Sequence, residues 1–240
     1  MKQTTQETNE GSGVIVKRLM PVAGLRNFDP FVLWDHFTIT PGSGFPEHPH
    51  RGFEAITYMF VGSMQHTDNL GNQSTVTSGG AQRFTAGSGI VHSEMPANDE
   101  QSEGIQLWIN LSRANKACPP AYQQVDAKAF PEEIDNGVTV RTIVGSGSPL
   151  ELRTAVRYQA ISLDANAQFS DCIETGFRGF IYLVSGSIKL NGNEQLNTGE
   201  AWFFEDTGKF TLHADEPSLL MLCFGQPHSE PIHQHGPFVD

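Results

Sequence analysis

The 240 residues fit one large or two medium domains, and 38% hydrophobic content with 16 Phe can bury real cores, which excludes wholesale disorder. A formal net charge of -12 at pH 7 excludes a nucleic-acid-binding surface, because such binders gain most of their affinity from clustered Lys and Arg; a basic protein partner stays open. Cys118, Cys172 and Cys223 stand alone, in no CxxC spacing, so neither a disulfide framework nor a zinc ribbon is expected.

With 24 Gly and 14 Pro the chain is punctuated by turns, as an all-β protein of short strands requires. Residues 1–13 are polar and lack an apolar segment, which predicts a disordered lead-in, no secretory signal and a cytoplasmic location. No run approaches the length of a membrane span. Strands are expected at Val14–Val16, within Asp29–Ile39 and at Glu54–Val61, where Gly62-Ser63 marks a turn. Met64–Asp68, Ser74–Thr77 and Ala81–Thr85 continue the meander, with Asn69–Asn72 as a hairpin connection. In Gly104–Leu111, the alternation of Ile105, Leu107, Ile109 and Leu111 predicts a half-buried strand. Ala114–Glu133 breaks the rhythm with Pro119, Pro120 and Pro131 and reads as an interdomain linker with a helical turn near Asp126–Ala129. Strand patterning resumes at Val138–Val144, which divides the chain into domains at 14–133 and 134–240.

The second half repeats the first faintly. Setting Gly186-Ser187 on Gly62-Ser63 places Gly176-Phe177 on Gly52-Phe53 and Tyr182 on Tyr58, so a duplicated β-barrel is expected. Cys172 and Glu174 then stand where the first half has His48 and His50, and Arg178 where it has Glu54.

Those histidines carry the chemistry. Side chains two apart on a strand share a face, so His48 and His50 point one way, and His92 and Glu94 share a face of a second strand. If both strands line one barrel, three imidazoles and a carboxylate converge, a set poorly satisfied without a cation. Strict alternation also carries Glu54 to the His48/His50 face, which leaves two glutamates as candidates. Imidazole and carboxylate without thiolate suit iron, manganese, nickel, cobalt or copper more than a closed structural zinc site. Four protein ligands leave open positions for substrate and dioxygen. His233-Gln-His235 is a second HxH with nothing following it; Cys172, Glu174 and His213 make a weak cluster; His36, His66 and His228 carry no spacing signal. There is no nucleophile elbow, P-loop or dinucleotide fingerprint.

The stretch Gly42–Glu54, with its His-x-His-x3-Glu, resembles the first cupin motif. His48–Glu54, Thr85–Pro96, Gln106–Leu111 and the terminal Glu230-Pro-Ile…Gly236-Pro-Phe238 together resemble the pirin family, from about Val14 to the end. The resemblance implies an all-β bicupin, two tandem jelly-roll barrels, with one metal in the N-terminal barrel. That metal is normally Fe(2+), with Mn, Ni, Co, Cu or Zn as substitutes. It implies His48, His50, His92 and Glu94 as ligands, with Glu54, Arg51 and Phe53 as non-ligating neighbours.

Two functions follow from the resemblance. The first is a metal-dependent dioxygenase of the quercetin 2,3-dioxygenase type, cleaving a flavonoid-like aromatic substrate with O2, with Glu94 as general base. Phe45 and Phe53 are then expected to flank the flat substrate. The second is a non-enzymatic, redox-sensing regulator that acts through a protein partner. Neither involves direct nucleic-acid or membrane contact, and a monomer is expected.

Overall fold

Short alternating segments separated by glycine turns dictate the architecture, and the computed structural model, which describes residues 1–240, is built from strands. In chain order they are β1 (Lys2–Thr4), β2 (Gln6–Glu10), β3 (Val14–Met20), β4 (Phe31–Ile39), β5 (Phe45–His50) and β6 (Phe53–Val61). There follow β7 (Ser63–Asp68), β8 (Gln73–Thr77), β9 (Ala81–Thr85), β10 (Ile90–Pro96), β11 (Ser102–Asn110) and β12 (Ala121–Val125). The second half holds β13 (Glu132–Asp135), β14 (Val138–Val144), β15 (Val156–Leu163), β16 (Gln168–Cys172), β17 (Arg178–Ser185) and β18 (Ser187–Leu190). It ends with β19 (Glu194–Asn197), β20 (Glu200–Phe204), β21 (Lys209–Ala214), β22 (Ser218–Gly225), β23 (Gln234–His235) and β24 (Phe238–Val239). The only helical turns are 3-10 turns at Arg113–Asn115 and Ala127–Ala129. No helix is long and apolar enough to cross a membrane.

The chain forms two compact units. One comprises Gln6–Ala129, Leu152–Thr154 and His228–Asp240; the other comprises Met1–Thr5, Phe130–Glu151 and Ala155–Pro227. The first contains a seven-stranded sheet, β12-β9-β6-β11-β4-β3-β2, and a four-stranded sheet, β5-β10-β7-β8. The second repeats the order strand for strand, as β1-β20-β17-β22-β15-β14-β13 and β16-β21-β18-β19. Each is a jelly roll whose core draws on both of its sheets. In the first, Val14, Phe37 and Met59 from the large sheet pack with Met64 and Val76 from the small one.

The structure corrects three boundaries. Residues 1–13 are not a disordered lead-in: β2 pairs with β3, and β1 pairs with β20. Their side chains are polar because these are edge strands, held by backbone hydrogen bonds with little apolar burial. Ala114–Glu133 is more than a linker, since β12 completes the first large sheet against β9 and β13 begins the second. The C-terminal segment His228–Asp240 belongs with the first unit, not with the second barrel.

Strand β11 departs from the half-buried expectation. Ile105, Leu107 and Ile109 are buried on one face, while Gln106 and Trp108 line a cavity on the other.

Candidate metal centre

Antiparallel pairing of β10 with β5 sets His92 opposite His48, and pairing of β10 with β7 sets Glu94 opposite His66. His48, His50 and His92 form one cluster, and His66, His92 and Glu94 a second that shares His92; within each, the ligand atoms lie within 4.8 Å of one another. His50, His66, His92 and Glu94 are buried and His48 is half-buried.

The hydrogen bonds around the rings assign their free nitrogens. His48 Nδ1 lies 2.7 Å from the Pro46 carbonyl and His50 Nδ1 3.2 Å from the Pro237 carbonyl. A carbonyl only accepts, so both Nδ1 atoms carry the proton, and in the neutral rings both Nε2 lone pairs are free. His48 Nε2 stands 3.1 Å from His92 Nε2. Two metal–nitrogen bonds of about 2.1 Å meeting near a right angle span about 3.0 Å, so a transition-metal ion fits between these atoms. Burial, then repulsion from His92 and His48, pushes His50 down to about 3; burial, then repulsion from His48 and His66, pushes His92 down to about 2. Both are neutral at pH 7, the form that ligates a cation.

Glu94 is fixed by one oxygen. Its Oε1 accepts from Gln82 Nε2 at 2.5 Å and from the Thr57 hydroxyl at 2.9 Å, leaving Oε2 without a protein partner. Thr57 also reaches the Gln106 amide oxygen at 2.6 Å, and the Tyr122 hydroxyl donates to Gln82 Oε1 at 2.9 Å. Burial raises the Tyr122 phenol well above its ordinary range, so it stays a donor.

The second unit shows what these positions become when no site is built. Where β7 pairs with β10, β18 pairs with β21, and the matching registers set Leu190 on His66 and Leu212 on Glu94; two residues earlier on the same face, Phe210 replaces His92. The β6, β9 and β11 registers likewise set Ile181, Trp202 and Leu222 on Thr57, Gln82 and Gln106. All six pack into or against the apolar core of the second barrel. One barrel therefore tolerates at its centre the polar set that its duplicate replaces with hydrocarbon.

A cavity of about 640 Å³ adjoins the cluster, within the range of small-molecule sites. His48, His50, Thr57, Glu94 and Gln106 line it beside Leu33, Phe37, Phe45, Met64 and Trp108. Arg18 also lines it, but its guanidinium is committed to Asp35 at 2.8 and 2.6 Å and to Glu10 at 2.7 Å.

Other candidates fall elsewhere. Glu54 is only 1% exposed but turns away from the cluster: one carboxylate oxygen accepts from Thr85 Oγ1 at 2.8 Å, the other from the backbone of Arg153 at 2.8 Å. The alternation that carried Glu54 to the histidine face fails because the strand breaks between His50 and Phe53, where Gly52 takes a positive φ of 85°. Arg51 forks onto Asp240 at 3.0 Å, and Phe53 stacks on Trp108 with its edge to His50. Phe45 lines the cavity, whereas Phe53 is fully buried and does not. Lys116 holds the C-terminal segment beside them, donating to Gly52, Asn110 and Val239 oxygens at 2.6–2.9 Å. His233 and His235 are exposed, Glu174 pairs with Arg157, and His213 pairs with Asp215. His66, which has no ligand spacing in the sequence, is the residue that sequence reasoning misses. Its signal lies in β7, where His66 and Asp68 share the inward face two residues apart.

The family model described as Pirin matches residues 13–109, and that of the Pirin C-terminal cupin domain matches residues 158–240. Mouse pirin is 37% identical over 98% of this chain and 84% of its own length. The chain belongs to the pirin family. Another relative, from Pseudomonas aeruginosa and provisionally named a quercetin 2,3-dioxygenase, is 34% identical over 98% of this chain and 89% of its own. Among solved structures, a quercetin 2,3-dioxygenase from Acinetobacter baumannii superposes with a TM-score of 0.92 at 26% identity, covering 100% of this chain and 90% of that one. As in other members of the pirin family, the fold is a bicupin, and both expectations stand.

Proposed function

We propose that this member of the pirin family is a metal-dependent dioxygenase of the quercetin 2,3-dioxygenase type. In this reading His48, His50, His92 and Glu94 hold one divalent transition metal, Fe(2+), and the substrate is a flat, flavonol-like aromatic used with O2. The observation that carries the reading is the cluster of His48, His50 and His92, with His50 and His92 neutral at pH 7, beside a cavity of about 640 Å³ that Glu94 also lines. Relatives bearing the dioxygenase name support it.

Bound there, such a metal supplies Lewis acidity towards a substrate oxygen and a redox partner for dioxygen. The protein does the rest. Three rings fixed through Pro46, Pro237 and strand pairing present nitrogen without rearrangement. Glu94, anchored through Oε1 by Gln82 and Thr57, keeps Oε2 free of protein partners, where it would take the proton of a substrate hydroxyl. Phe37, Phe45 and Trp108 give the cavity aromatic walls for a planar ring. Of the two arginines that line the cavity, Arg18 is committed to Asp35 and Glu10, which leaves Arg26 as the cation nearest to hand for a substrate oxygen. A redox-sensing regulator needs no cavity of this size, which weighs against the second function.

The test is oxygen consumption by iron-loaded protein with quercetin, with carbon monoxide followed in the headspace. Uptake with carbon monoxide release, abolished in Glu94→Ala, is expected. Absence of uptake with iron, manganese, nickel, cobalt and copper in turn overturns the activity.

A further inference from the structure

His66 is wholly buried in the barrel that carries the cluster, and in the duplicate barrel its position is Leu190. Its environment is specific. Nε2 lies 3.0 Å from Asp68 Oδ2, Nδ1 lies 3.4 Å from His92 Nδ1, and the ring stacks on Tyr122 with centroids 4.1 Å apart. Asp68 is held in turn by Leu70 and Asn72 backbone N–H groups, both at 3.0 Å.

From these contacts we infer that His66 is a positioning residue that fixes His92 as an Nδ1–H tautomer with its Nε2 lone pair turned towards His48 and His50. A carboxylate only accepts, so the His66 nitrogen beside Asp68 carries a proton. In the neutral ring, His66 Nδ1 is then an acceptor, and the only nitrogen it meets is His92 Nδ1, which must donate. That leaves His92 Nε2 unprotonated, 3.1 Å from His48 Nε2. All three rings then obey one rule. Each gives its Nδ1 proton outwards, His48 to Pro46, His50 to Pro237 and His92 to His66, and each turns Nε2 inwards. Two of the acceptors are backbone carbonyls that the fold supplies. The third is a side chain, backed by Asp68 and steadied by Tyr122. Because both its nitrogens are engaged, His66 supports the ligand and does not itself ligate.

The inference rests on the proposed metal site, and the test separates the two. Leu and Asn branch alike at Cγ with the same number of heavy atoms, but Asn carries an amide oxygen where His66 Nδ1 stood, so the two substitutions differ chiefly in the acceptor offered to His92. Cobalt(II) affinity by chelator competition is measured for wild type, His66→Leu and His66→Asn. In parallel, 15N-histidine NMR of the metal-free wild type reads which His92 nitrogen is protonated. Protonation at Nδ1, a ten- to hundredfold loss of cobalt(II) affinity in His66→Leu, and affinity within about threefold of wild type in His66→Asn are expected. Protonation of His92 at Nε2, or equal effects of Leu and Asn, overturns the positioning role. If neither variant folds, the wild-type nitrogen shifts decide it. A wild type that takes up no cobalt(II) overturns the metal site itself, whichever His92 nitrogen is protonated.

Discussion

His48 Nε2 stands 3.1 Å from His92 Nε2, and the Pro46 carbonyl, 2.7 Å from His48 Nδ1, decides which His48 nitrogen is free to bind. The pair belongs to strands whose register sets the two residues directly opposite, so neither can be moved without the other losing its geometry. His48→Ala and His92→Ala are each expected to reduce bound metal to under about a tenth of the wild-type stoichiometry by elemental analysis. His233→Ala and His235→Ala, on the exposed C-terminal segment, are expected to leave it unchanged.

Two glutamates are separated by where their oxygens go. Glu94→Gln replaces the carboxylate beside the rings and is expected to abolish both metal retention and oxygen uptake. Glu54→Gln removes one acceptor from a buried set comprising the Thr85 hydroxyl and the backbone N–H groups of Arg153 and Thr154. It is expected to cost about 1–3 kcal/mol of stability in urea denaturation while metal stoichiometry stays intact.

The buried rings set an acid limit on the metal-free protein. His50 and His92 titrate near 3 and near 2 in the folded chain and near their ordinary 6.5 when unfolded. Below pH 6.5 the unfolded chain therefore binds up to two protons that the folded chain refuses. Stability present above pH 6.5 is lost as pH falls towards 3, at up to roughly 2.7 kcal/mol per pH unit for two groups. Denaturant midpoints at pH 7.5, 6 and 5 check the slope, and His92→Phe, which copies Phe210, is expected to reduce it by about half.

The duplicate barrel suggests a paired substitution. Thr57 and Gln106 touch each other, and Ile181 and Leu222 stand in their places in the second unit. Thr57→Ile with Gln106→Leu removes both partners of that bond but also a donor to the buried Glu94 Oε1, so a loss of about 1–3 kcal/mol in urea denaturation is expected. Oxygen uptake with quercetin is expected to fall at least tenfold, because Glu94 loses a hydrogen-bond donor and the cavity loses its polar wall.

Much of this was legible in the sequence because it rests on short-range rules. Period-2 alternation places His48 with His50 and His92 with Glu94, and glycine turns mark the strand ends. The faint repeat around Gly62 and Gly186 matches two sheets with identical strand order. What was not legible depends on register and on breaks in it. Glu54 leaves the histidine face because the strand breaks at Arg51 and Gly52. His66 joins the centre only through the pairing of β7 with β10, which no local spacing encodes. The polar segment at residues 2–10 reads as disorder because edge strands draw their order from backbone pairing, not from apolar side chains.

The most direct test is to locate the metal by anomalous diffraction at the iron edge on crystals of the iron-loaded protein. A single peak within bonding distance of the Nε2 atoms of His48, His50 and His92 and of a Glu94 oxygen is the expected result. A peak at His233 and His235, on the His66 side of His92, or in the second barrel would contradict the account.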